Sequence, residues 1–213
     1  MKKIFLFFAL FCGLQTIQAQ KDSQAKKVLQ ATERAFEKGG GISADFQAEN
    51  FANGQSQGST TGSMKVKGNK FQFATEHTLT WFDGKTQWNY LKQNDEVNIS
   101  TPTKTELQSM NPYALLGIYK NGFNYTLSEG SLRGQRVYTV HLTAENKKQD
   151  IQEILLDVAQ KDYTPFCIRM KQKNGHWTKI VVRHFKNRQK FHEQDFVFPK
   201  EAYPHAEIID MRE

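Results

Sequence analysis

The chain has 213 residues, of which 38% are hydrophobic and 24% charged, with a formal net charge of +7. That length supports one hydrophobic core of ordinary size, and no segment after the first twenty residues approaches the roughly 20 apolar residues of a membrane-spanning helix. The lysines are scattered and the chain reads as exported, which excludes nucleic acid as a partner; anionic headgroups or an acidic partner stay open.

In chain order, MKKIFLFFALFCGLQTIQAQ has two lysines, an apolar run from Ile4 to Leu14 and a small residue at Ala19. It reads as a cleavable secretory signal peptide over residues 1–19, leaving residues 20–213 as a single exported domain. Cys12 lacks the small residues upstream that a lipid-attachment site needs. Removal of the leader takes the formal charge from +7 to +5 and leaves Cys167 alone, so no disulfide forms within the mature chain and its core must hold it.

From Ser23 to Lys38, Val28, Leu29, Thr32, Ala35 and Phe36 recur at helical spacing until Gly39-Gly40-Gly41 ends the pattern, which predicts one amphipathic helix. Alternation follows through Ile42–Ala48, Met64–Val66, Phe71–Phe73, Leu79–Trp81, Trp88–Tyr90 and Val97–Ile99, punctuated by Asn53-Gly54, Gly68-Asn69 and Asp83-Gly84. These are antiparallel strands of a meander. A two-residue turn at Asp83-Gly84 would set Trp81 opposite Thr86 and Leu79 opposite Trp88, with His77 and Tyr90 one step out on the same apolar face.

Beyond Pro102 the period of two is lost, and Asn111-Pro112 followed by YALLGIYKNG predicts a short helix with Leu115, Leu116 and Tyr119 on its apolar side. Strands resume at Phe123–Leu127, Tyr138–Leu142, Ile154–Leu156, Phe166–Lys173 and Trp177–Phe185, with a last short one at Phe196–Pro199. For the hairpin around Asn174-Gly175, a three-residue loop keeps the faces consistent: Met170 opposite Thr178 and Ile168 opposite Ile180, with Gly175 left-handed. The sum is a mainly β chain, one large curved antiparallel sheet of about 11 strands forming an incomplete, half-open barrel. An N-terminal helix and a mid-chain helix lie over its concave face, and the inside of such a body is either filled with side chains or encloses a ligand cavity.

No catalytic apparatus emerges. The six histidines form no HExxH or comparable metal-ligand pattern, GxSxG is absent, and Cys167 in FCIRM reads as a buried structural thiol. The reading is a non-enzyme without metal or cofactor.

Taken together and in order, ADFQ (44–47), GSMKVKGNKFQF (62–73), WFDGKTQWNY (81–90), NPYALL (111–116) and DFVFPKEA (195–202) resemble the periplasmic outer-membrane lipoprotein carrier family, LolA. The most specific piece, DGKTQWNY, is similar to that family's DGK-x-x-W-x-Y signature, and the likeness covers almost the whole mature chain. The resemblance implies an open, strongly bent antiparallel sheet with the N-terminal and mid-chain helices acting as a lid over an apolar cavity, and a monomeric periplasmic carrier. It would receive acylated lipoproteins from an inner-membrane ABC transporter, shield their acyl chains and deliver them to an outer-membrane acceptor. One departure stands out: the family's Arg-Pro pair, whose arginine touches the lid, is replaced here by Gly68-Asn69-Lys70, so a polar latch would fall to Lys67 or Lys70. On this reading Phe46, Met64, Phe71, Phe73, Leu79, Trp81, Trp88, Tyr90, Leu115, Leu116 and Tyr119 line an acyl-chain cavity. A lipid- or lipoprotein-sensing module of the same shape, a filled barrel serving as an interaction protein and a lipid-modifying enzyme are the competing readings.

Overall fold

The computed structural model describes residues 22–37, 40–103, 106–107 and 117–212. The signal-peptide segment and the predicted helix at Asn111, including Leu115 and Leu116, lie outside these residues.

Helix α1 (Ser23–Glu37) begins where Asp22 caps it, its Oδ1 accepting from Gln24 N at 2.7 Å and Ala25 N at 3.3 Å. Its apolar stripe is Ala25, Val28, Leu29 and Phe36, all buried, with Thr32 completely buried because its hydroxyl donates to Val28 O at 3.0 Å. Gly40, at φ +76°, turns the chain into the sheet.

The strands are β1 (Gly41–Ala52), β2 (Gln55–Lys67), β3 (Lys70–Thr75), β4 (Thr78–Phe82), β5 (Gln87–Leu91), β6 (Glu96–Ser100), β7 (Phe123–Leu132), β8 (Gln135–Ala144), β9 (Ile151–Ala159), β10 (Pro165–Gln172), β11 (Trp177–Gln189) and β12 (Glu207–Asp210). They form one open 12-stranded sheet in the order β12-β6-β5-β4-β3-β2-β1-β11-β10-β9-β8-β7. Eleven strands pair antiparallel. The exception is β12, parallel to β6, because residues 190–206 must cross the sheet before the chain reaches that edge. The predicted strand at Phe196–Pro199 is not one: Glu193–Phe196 is a 3-10 turn, and Phe196 and Phe198 are buried anchors of that crossing.

The two faces of the sheet differ. On one, the helix face, α1 packs with Tyr125, Val140, Leu142, Ile154, Leu156 and Ile168 in the main core. That face continues through Ala44, Met64 and Val182 to Val66, Phe71 and Phe82, with Phe185 and Phe73 bridging the groups. Phe185 reaches it through a bulge. Asp45 pairs with Arg183 but Ser43 with Lys186, and His184 takes φ +48°, so the extra residue turns the Phe185 ring toward Phe36, 5.4 Å away.

The β10–β11 register is the one expected from its loop: Met170 opposite Thr178, Ile168 opposite Ile180, Gly175 at φ +85°. The β4–β5 register is two residues wider than expected. Trp81 pairs with Trp88 and Leu79 with Tyr90, because Asp83 Oδ1 accepts from both Lys85 N and Thr86 N at 2.8 Å and closes a four-residue turn. An even shift preserves the faces. His77 stands outside β4 and is exposed, so it does not sit beside Tyr90.

Candidate functional site

Chain parity sorts the apolar residues of the short half of the sheet. Phe71 pairs with Phe82 and Phe73 with Thr80, so Phe71, Phe73 and Phe82 share the helix face, together with Met64, Val66 and Phe46 across the neighbouring strands. Leu79, Trp81, Trp88 and Tyr90 point the other way. Those four do not belong to the same surface as Phe46, Met64, Phe71 and Phe73, which corrects the single lining set that the sequence suggested.

What covers the aromatic hairpin is the C-terminal crossing. Trp81 is 3% exposed and meets the Phe198 ring edge-on at 5.5 Å, while Tyr203 stacks on Phe198 at 5.4 Å and lies 4.6 Å from the Tyr90 ring. Val97, Ile99 and Ala206 complete that packed layer. Lys67 Nζ donates to Phe191 O at 2.9 Å and pairs with Glu193 at 3.4 Å; Lys70 pairs with the same carboxylate. The two cations hold Glu193 below the usual carboxylate range, Lys70 more than Lys67. Both lysines thus fasten the C-terminal crossing.

Tyr119, in the 3-10 turn Ile118–Lys120, is 4% exposed and donates its hydroxyl to Glu33 Oε2 of α1 at 3.0 Å. Lys120 pairs with the same carboxylate, and Tyr125 meets Tyr119 edge-on at 6.2 Å. Burial first, and then the bond to Glu33, push the Tyr119 hydroxyl up to about 12. The connection from β6 to β7 must pass from near one edge of the sheet to the other. Leu107 packs on Val66, Phe71 and Phe82, and Tyr119 on the α1 core, so both ends dock on the helix face.

A cavity of about 1050 Å³ opens on that face. Its floor is Ile118, Phe123, Ile151, Met170 and Ile180, from the 3-10 turn and β7, β9, β10 and β11; its rim is polar, with Lys148, Gln149, Asp150, Gln172, Lys173 and Asn174. The rim is built from two turns tied together by Lys173 N donating to Asp150 O at 2.8 Å. None of the described residues expected to line an acyl-chain site borders this cavity. Tyr119 follows the floor residue Ile118 in the 3-10 turn, and Phe46 is linked to the floor by register: it pairs with Val182, and the next helix-face residue, Ala48, pairs with the floor residue Ile180. Half-buried Phe46 and Phe73, edge-to-face at 6.3 Å, continue the apolar surface from there toward Phe71. The floor residues were within reach of the sequence. The β10–β11 register was right, and carrying its parity across β1 and β9 selects Met170 and Ile180.

The other face of β8–β11 carries ion pairs beside the buried Cys167 and Val181. Asp157, 5% exposed, accepts from Thr139 Oγ1 at 2.6 Å and from Arg169 Nη2 at 3.0 Å, and Glu153 bridges Lys171 at 2.9 Å and His141 at 3.3 Å. Burial raises the Cys167 thiol, next to Asp157, above its ordinary value, which suits a structural cysteine. Among the described residues no group of three His, Cys, Asp or Glu could hold a metal ion, and no helix is long and apolar enough to cross a membrane.

Residues 14–174 match the family model described as outer membrane lipoprotein carrier protein LolA. No curated protein matches the chain. Among solved structures, an uncharacterized conserved protein from Thermus thermophilus superposes with a TM-score of 0.60 at 15% identity, covering 88% of this chain and 99% of that one. A DUF1329 family protein from Desulfovibrio piger gives 0.50 at 9% identity, covering 84% and 98%. A LolA superfamily protein from Nitrosomonas europaea gives 0.44 at 10% identity, covering 81% and 97%. The first two likenesses show a shared fold.

Proposed function

The chain belongs to the outer membrane lipoprotein carrier protein LolA family, and from that premise we propose that it is a periplasmic carrier that shields the acyl chains of lipoproteins on the helix face of its sheet. It would take them from an inner-membrane ABC transporter and pass them to an outer-membrane acceptor, without covalent chemistry and as a monomer. The observation that carries this reading is the cavity of about 1050 Å³ with its floor of Ile118, Phe123, Ile151, Met170 and Ile180.

Its energetics suit a carrier. Each buried methylene contributes about 0.8 kcal/mol, so roughly ten of them give about 8 kcal/mol, an affinity near micromolar and thus reversible. The acyl-lining residues of the proposal are the helix-face members Phe46, Met64, Phe71, Phe73 and Tyr119, joined to the cavity floor, with Leu115 and Leu116 on the connection between Leu107 and Tyr119. Leu79, Trp81, Trp88 and Tyr90 support the sheet from behind.

The test is equilibrium binding of a fluorescent palmitoylated peptide to the mature protein, with Ile180→Asp as the variant. Ile180 is a half-buried floor residue, and a carboxylate there is expected to weaken binding at least tenfold. Absence of binding to the wild type, or equal binding to the variant, would overturn the proposal.

A further inference from the structure

Besides its two outer edges the sheet has an open inner one. Strand β3 pairs only with residues 62–67 of β2, whereas β1 stays paired with β2 as far as Gln55. No described residue pairs with residues 55–61 on the side that β3 vacates, and all of them are exposed. The notch is built. Thr75 Oγ1 accepts from His77 N at 3.3 Å and from Thr78 N at 3.0 Å, which turns the chain out of β3 and back into β4, and Lys92 Nζ donates to Thr75 O at 2.6 Å.

The outer edges carry the blocks that sheets use against stray pairing. At β7 the start of α1 takes a main-chain acceptor, Asp22 N donating to Tyr125 O at 3.1 Å, and Glu129 adds a charge. At β12, Asp210 Oδ1 accepts from Arg212 N at 3.1 Å, the next donor beyond Met211 N, which bonds Ile99 O. Residues 55–61 read QSQGSTT, with neither charge nor proline.

Strand parity says what the notch can bind. The two-residue turn Gly68-Asn69 makes Lys67 and Lys70 the hydrogen-bonded pair nearest it, so Lys65 and Ser63 also direct N–H and C=O toward β3. Continuing the alternation, Thr61 and Ser59 direct theirs into the notch, and a one-residue slip against β1, with Gly58 at φ +120°, ends the regular stretch. Such a ladder of donors and acceptors matches another polypeptide main chain. A residue added opposite Thr60 would fall on the helix face, beside the Phe46 ring, which leans so far over Gly62 that a Cβ there would stand 2.7 Å away. Residues opposite Ser59 and Thr61 would fall on the far face, near Glu49 and Gln47.

We propose that residues 59–61 of β2 take an extended segment of a partner protein as an added antiparallel strand in line with β3, with an apolar residue opposite Thr60 and a polar one on either side. This goes beyond the carrier reading and does not depend on it, since none of residues 55–61 borders the cavity.

The probe is the peptide acetyl-Thr-Thr-Val-Thr-Thr-amide, titrated into isotope-labelled mature protein and followed by amide NMR. Saturable shifts and slowed hydrogen exchange are expected at Ser59 and Thr61, with a dissociation constant below about 1 mM, and the same peptide N-methylated at the two threonines flanking valine should bind about tenfold more weakly. Thr61→Pro removes a donor that faces the notch and spares those toward β1, and Thr60→Asp sets a charge against the apolar position on an exposed residue; each should weaken binding about tenfold, the second at unchanged melting temperature. The assignment is overturned if the wild type shows no saturable shift, if the shifts fall on β7 or β12, if the N-methylated peptide binds equally, or if Thr60→Asp binds as well as the wild type. A dimer formed through residues 59–61 without probe would give the edge to a second copy and overturn it too.

Discussion

Replacing Trp81 by alanine separates the two faces of the sheet. Trp81 is 3% exposed, with Phe198 edge-on at 5.5 Å and Tyr203 at 6.2 Å, so Trp81→Ala removes a fully packed indole and leaves those rings facing a void. Truncations of this kind cost about 3–5 kcal/mol. At about 2–4 °C per kcal/mol for a domain of this size, the melting temperature should fall by about 10 °C. Urea titration should show the midpoint dropping, and amide hydrogen exchange should show residues 196–210 losing protection before β7–β11, since the lost contacts anchor the C-terminal crossing. Acyl-probe affinity at low temperature, where the variant stays folded, should remain within about twofold of the wild type, because no part of the Trp81 layer borders the cavity. A stability loss under about 0.5 kcal/mol would refute the packing argument. A tenfold affinity loss in folded protein would refute the division of the faces.

Gly62→Ala places a Cβ 2.3 Å from Ala74 O and 2.7 Å from the Phe46 ring, so it should destabilise by about 1–3 kcal/mol in denaturant titration while shifting Phe46 chemical shifts. For Tyr119, with a folded value of about 12 against 10.0 ordinarily, the neutral phenol is favoured by folding. Its stabilising contribution is complete below pH 10 and is lost as pH rises from 10 to 12. Tyr119→Phe should therefore show a shallower fall of stability across that window, seen in thermal melts at stepped pH. Cys167, 5% exposed and with its thiol raised by burial, should stay unreactive toward a thiol-specific disulfide reagent at about pH 8 and react fully in urea.

Much of the fold was written in local patterns. The spacing of Val28, Leu29 and Phe36 gave the helix, alternation gave the strands from β1 to β11, and loop chemistry at Gly175 gave the correct β10–β11 register. The site was read less well, for a physical reason. Trp81 and Phe82 are adjacent, so they point to opposite faces, and both are almost fully buried. A strand apolar on both sides cannot reveal which side meets the helix; that depends on pairing with β3, where Phe73 meets Thr80 and so leaves Trp81 behind. The cover over Trp81 comes from Phe198 and Tyr203, more than a hundred residues later, in a segment with no regular period. Lys67 and Lys70 misled in the same way, since Glu193 reaches them through that same non-local crossing.

The central claim is that acyl chains lie on the helix face, and photo-crosslinking tests it most directly. A palmitoylated peptide with a diazirine midway along its chain is bound to the mature protein, irradiated, and its adducts mapped by mass spectrometry. Adducts are expected on Phe123, Met170, Ile180 and Phe46. Adducts concentrated on Trp88, Tyr90 or Tyr203, or adducts that an excess of unlabelled palmitoylated peptide does not displace, would contradict it.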